Sequence, residues 1–152
     1  MKKNAIFAFV VGGLFFATSC SSDDDSNPST NNPSANDVIN TVSSGTWRIT
    51  SYLDSGQDET GDFAGYNFTF GASNVLTATN GTNNYSGIWS VTNDDDSADD
   101  LDFDILFSSP APASFQDLSD DWDVVERTST KVRLRDVSGG NGDTDYLTFE
   151  KN

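Results

Sequence analysis

The chain has 152 residues, with 24 acidic side chains, eight basic ones and no histidine, a formal charge of −16 at neutral pH. That balance repels nucleic acid and anionic headgroups. The missing imidazole removes Ser-His-Asp and Cys-His nucleophile pairs and every histidine metal ligand. Cys20 is the only cysteine, so no intrachain disulfide can brace the fold.

The first element is a leader. Lys2 and Lys3 precede an apolar run from residue 5 to residue 18, broken only by Gly12 and Gly13. The run is too short to span a bilayer comfortably, and no second one follows, so residues 1–19 read as a signal peptide. Ala17, Thr18 and Ser19 lead directly into Cys20. The order of basic start, apolar run, small residues and cysteine resembles the bacterial lipobox, whose thiol receives diacylglycerol. Cleavage before Cys20 would remove Lys2 and Lys3 and leave about 130 residues, one domain's worth, with six basic and 24 acidic groups and a charge of −18.

Residues 20–36 hold Cys20 and then SSDDDSNPSTNNPSAN, which has almost nothing to bury. Such a segment cannot offset its chain entropy and is expected to be a disordered tether, reaching roughly 20–25 Å as a flexible coil. Asp23, Asp24 and Asp25 resemble the acidic export signal that follows the cysteine in lipoproteins of Bacteroidetes. The resemblance implies an outer-membrane protein, lipid-anchored and facing the cell surface.

The domain proper is expected over residues 37–152. DVINTV (37–42) predicts a short helix capped by Asn36 or Asp37 and ended by Gly45. Period-2 alternation then takes over. In 47–53, Trp47, Ile49 and Leu53 share one face, with Arg48, Thr50 and Tyr52 opposite. Tyr66, Phe68 and Phe70 alternate with Asn67 and Thr69. A weaker strand at 75–79 meets the hairpin signal Asn80-Gly81. Tyr85, Gly87, Trp89 and Val91 follow, and then Leu101, Phe103, Ile105 and Phe107, with Asp102 and Asp104 between them. Pro110 and Pro112 break the chain, and 114–118 predicts one helical turn. Strands at 122–128, 131–136 and 145–150 complete eight. Eight short antiparallel strands joined mostly by hairpin-length loops predict an all-β fold, a small up-and-down barrel; a β-sandwich is the alternative.

Gly45-Thr46-Trp47 at the start of the first strand resembles the opening G-x-W of the lipocalins. The order that follows is a Trp strand, an Asp/Gly/Thr loop (54–62), Gly65-Tyr66-Asn67-Phe68-Thr69-Phe70, and the closing Leu147-Thr148-Phe149-Glu150-Lys151. Over residues 45–152 it is similar to the lipocalin-like lipoproteins of Bacteroidetes. The resemblance implies that Trp47 plugs the closed end of the barrel. Thr144-Asp145-Tyr146 opens the last strand instead of preceding the penultimate one, so it is not the family's T-D-Y motif. The chain is also short for a lipocalin.

Two functions follow. In the first, the barrel holds a small apolar ligand, lined by Phe68, Phe70, Gly87, Trp89, Phe103 and Phe107, with Gly87 leaving room beside the aromatics. Its lining has no convergent charge, so the ligand would be neutral or weakly polar. In the second, the barrel is packed solid and the chain is a structural or interaction subunit that meets an envelope protein or a glycan. Outward aromatics such as Tyr52 or Tyr146 would serve that role. No enzyme is expected, because only carboxylate chemistry is available and the acids sit in loops and on solvent-facing strand positions. No cofactor is expected. The acidic loops lack the spacing of an EF-hand, so no metal site is expected either. Asp96-Ser97-Ala98 matches the three-residue O-glycosylation sequence of Bacteroidetes, with Ser97 as acceptor.

Overall fold

A computed structural model describes residues 34–93, 101–137 and 142–152. Cys20, Asp23, Asp24, Asp25 and Ser97 lie outside the described residues.

The domain opens with helix α1, Ala35–Val42. Its N-cap is Ser34, one turn before the Asp37 that the sequence offered as a cap. Asp37 stands instead at the third helical position. The Asp37 N–H donates to Ser34 Oγ at 3.3 Å, and the Ser34 N–H donates to the Asp37 carboxylate at 3.3 Å. This reciprocal pair is a capping box with Asp in the Glu place, and it satisfies two donors that a bare helix start leaves open. The Ser34 hydroxyl and N–H both hold the Asp37 carboxyl below the usual carboxylate range. Val38 and Val42, one turn apart, bury the same face. Gly45 at φ +86° then turns the chain into the barrel.

Among the described residues nine strands follow: β1 (Trp47–Asp54), β2 (Gln57–Asp58), β3 (Asn67–Phe70), β4 (Val75–Thr79), β5 (Asn84–Asn93), β6 (Leu101–Phe107), β7 (Asp121–Arg127), β8 (Lys131–Val137) and β9 (Thr144–Lys151). All pairings are antiparallel, and β9 closes on β1 through Trp47–Lys151 and Leu53–Tyr146. The eight long-paired strands are those expected and make a closed barrel. The two-residue β2 only extends β1 into a hairpin, pairing Leu53 with Asp58. A barrel removes both free edges, which a sandwich would leave.

One expectation about faces fails. The register between β1 and β9 shifts between Ile49 and Ser51. This bulge inserts one residue and reverses the parity of the rest of the strand. Trp47 and Ile49 point inward as expected, but past the bulge Tyr52 is the inward residue, 1% exposed. Tyr52 is therefore part of the core and not an outward aromatic.

Both ends of the barrel are closed. At one end α1 covers the opening, and the Trp47 indole N–H donates to the Val42 carbonyl at 2.8 Å. At the other end the 3₁₀ turn Thr60–Phe63 and helix α2 (Ala113–Asp117) turn Phe63 and Phe115 inward. Trp122 Nε1 donates to Leu118 O at 3.1 Å, and the Tyr52 hydroxyl donates to Asp117 O at 3.2 Å. These two bonds satisfy carbonyls at the end of α2 that the short helix cannot pair itself. Among the described residues no helix is long and apolar enough to cross a membrane.

Candidate functional site

The residues expected to line a cup are all inside the barrel. Phe68, Phe70, Trp89, Phe103 and Phe107 are at most 5% exposed, and they touch one another. Phe70 lies edge-on to Trp89 and Phe103, each at 5.4 Å between centroids, and to Phe149 at 5.3 Å. Phe68 meets Phe149 at 5.4 Å and Phe107 at 6.5 Å. These are the edge-to-face separations at which ring quadrupoles attract. Trp89 further anchors itself by donating Nε1–H to Gly71 O at 3.1 Å.

Gly87 does not leave room for a ligand. A Cβ built there would stand 2.2 Å from Leu106 O and 2.9 Å from Phe107 Cα. The absent side chain is what lets the backbones of β5 and β6 approach, and that backbone occupies the space.

The end opposite α1 carries a second aromatic group that sequence reading missed. Phe115 contacts Tyr85 at 4.8 Å, Tyr66 at 5.0 Å, Phe107 at 5.1 Å and Phe63 at 5.3 Å. It sits at the end of the barrel where the cup expected from the sequence would open. The only sequence signal was one phenylalanine in a polar helical turn after Pro110 and Pro112. Tyr146, the other proposed outward aromatic, is half-buried on β9 with the Arg133 guanidinium 4.7 Å above its ring.

The exterior has a feature of its own on β4, β5 and β6. Val75 pairs with Ile88, and Ile88 pairs with Leu106. All three face outward and are 45%, 55% and 54% exposed. Beside this row lies a depression of about 540 Å³, lined by Ile88, Leu106, Asp104, Ser119, Asp120 and Asp121 among others. It exists because β6 pairs with β7 only from Asp102 to Asp104. Beyond that point the chain before β7 reaches β6 through the Ile105 N–H on Asp120 O at 3.0 Å and the Phe107 N–H on Ser119 Oγ at 3.0 Å. At its rim Asn74, at φ +62°, donates its side-chain amide to Trp89 O at 2.8 Å.

The acids of the depression differ in environment. Asp104 accepts a hydrogen bond from the Ser90 hydroxyl. Asp120 is pushed up from its ordinary 3.8 to about 6, first by desolvation, then by its contact with the Asp121 side chain and the negative charges of Asp136 and Asp121. In the acidic loop after β1, the hydroxyl and N–H of Thr60 hold Asp58 below the usual range. Glu59 there is raised by partial desolvation and by Asp54, Asp62 and Asp117. Among the described residues no group of three or more acids is arranged to hold a metal ion. The acidic group at 94–100 lies outside the described residues.

No family model and no curated protein matches the chain. A DUF4847 family protein from Bacteroides vulgatus ATCC 8482 is a similar crystal structure. It shares 18% identity over 76% of this chain and 97% of its own, at a TM-score of 0.49.

Proposed function

We propose that this chain is a lipid-anchored, non-catalytic interaction module of the bacterial envelope, which works from the outer wall of a barrel filled by its own side chains. The observation that carries this reading is the contact of the would-be lining residues with one another. Phe70 touches Trp89, Phe103 and Phe149, and Phe115 closes the end at which a ligand would enter. Anchoring through Cys20 and display at the outer membrane beyond Asp23, Asp24 and Asp25 rest on the leader and tether in the sequence. The interaction surface of such a module needs no histidine or cofactor. Its charge of −18 after cleavage would keep it soluble at high density on a surface.

The competing reading, a cup for a small apolar molecule, is separated from this one by a titration. The variant Val75→Ser/Ile88→Ser/Leu106→Ser removes the outer apolar row, so any remaining site for a neutral hydrophobic fluorophore would be internal. The interaction module predicts no saturable micromolar binding to that variant. A single saturable site would place the ligand inside the barrel and overturn the reading.

A further inference from the structure

In a strand buried on one face the outward slots are normally polar. Val75, Ile88 and Leu106 break that rule on three adjacent strands, and the register of β4, β5 and β6 sets them side by side. Single exposed apolar residues are ordinary; a contiguous row that runs into a depression marks a contact surface.

Its electrostatic surroundings are one-sided. No lysine or arginine occurs between Arg48 and Arg127, so β3, β4, β5 and β6 carry no cation at all. The six cations beyond the leader stand on β1, β7, β8 and β9. Of these, Arg48 pairs with Glu150, Lys131 with Glu126 and Arg135 with Asp123. The apolar row is therefore bordered by Asp104, Asp120 and Asp121 with no basic side chain from its own strands.

We propose that the β4–β6 wall docks a segment of a partner protein whose apolar side chains are flanked by lysine or arginine. This rests on the interaction-module reading and names its face and its partner's chemistry. Burial of Ile88 and Leu106 would supply affinity, because the apolar area leaves water. The acids would steer and orient the segment and disfavour acidic competitors, which would meet three carboxylates. The same acids disfavour an anionic lipid surface as the occupant.

The test uses the full chain, immobilised, and three short synthetic peptides at about 0.15 M salt. One alternates Lys and Leu, one Lys and Ser, one Glu and Leu. The Lys–Leu peptide should bind about tenfold or more tightly than either of the others. Ile88→Ser/Leu106→Ser and Asp104→Asn/Asp121→Asn should each weaken it, the first by about tenfold. Val137→Ser, at an exposed apolar residue on β8, should leave it unchanged; melting curves check that each variant is folded. Equal binding of the Lys–Ser peptide would mean diffuse charge attraction and overturn the proposal, as would no binding of the Lys–Leu peptide. Binding that ignores the Ile88 and Leu106 changes would move the contact elsewhere, overturning this face while leaving the interaction module standing. Self-association of the chain that Leu106→Ser abolishes would make the occupant a second copy and overturn the partner named here. Failure of the interaction module itself is read separately, by the fluorophore titration.

Discussion

Gly87 carries more of the barrel than its lack of a side chain suggests. Its missing Cβ would fall 2.2 Å from a backbone oxygen of β6, and backbone cannot rotate aside as a flexible side chain can. Gly87→Ala should therefore destabilise by about 1–3 kcal/mol, the usual range for overpacking, despite alanine's small size. Urea melts measure it, and a loss below about 0.5 kcal/mol, the range of neutral surface changes, would mean that β5 and β6 can separate freely there. Asp120 makes a second test at this scale. Its folded pKa of about 6 lies above the ordinary 3.8, so the folded state prefers the protonated carboxyl. The ionised form costs stability, a cost that solvent screening keeps small because Asp120 is exposed; by linkage it is absent below 3.8, grows as pH rises through the window, and is complete above about 6. Asp120→Asn removes the charge, so it should raise the melting temperature more at pH 7 than at pH 4. An equal shift at both values would contradict the desolvation of Asp120 beside Asp121 and Asp136.

Elements were more legible than their faces. The eight barrel strands could be read because apolar and polar residues alternate along them, most clearly where Asp102 and Asp104 separate Leu101, Phe103 and Ile105. The bulge between Ile49 and Ser51 was invisible, because it exists only in the pairing of β1 with β9 and leaves no mark on the residue types of β1. Its effect was to send Tyr52 into the core. A second register shift, between Val124 and Glu126 in β7, reverses parity in the same way and sets Arg127 opposite the buried Val132. At α1 the reading missed Ser34 because Asp37 is itself a good N-cap residue, and only the reciprocal bonds show which of the two caps the helix. The outer row was hidden differently. Ile88 and Leu106 each look like a lone apolar residue in a polar slot, and nothing within one strand says that they lie opposite each other. Register is a property of pairs of strands, so the candidate surface emerges only when the barrel is closed.

For the whole molecule, the closed barrel implies that what lies inside it decides what the chain can do. Seven phenylalanines, three tryptophans and four tyrosines follow residue 19, and all but Tyr85 and Tyr146 among them are buried. Rings from β3, β5, β6 and β9 meet near the middle, and Phe63 with Phe115 closes the end opposite α1. On the proposed reading, a barrel so occupied leaves its outer wall as the working surface, with the acid-bordered row on β4, β5 and β6 as the proposed contact. The most direct test of the filled interior is a crystal structure of the protein under xenon pressure, because apolar cavities large enough for a ligand stay dry and take up xenon. The account predicts no xenon atom enclosed by Phe68, Phe70, Trp89, Phe103 and Phe107; a well-occupied xenon site among those rings would contradict it.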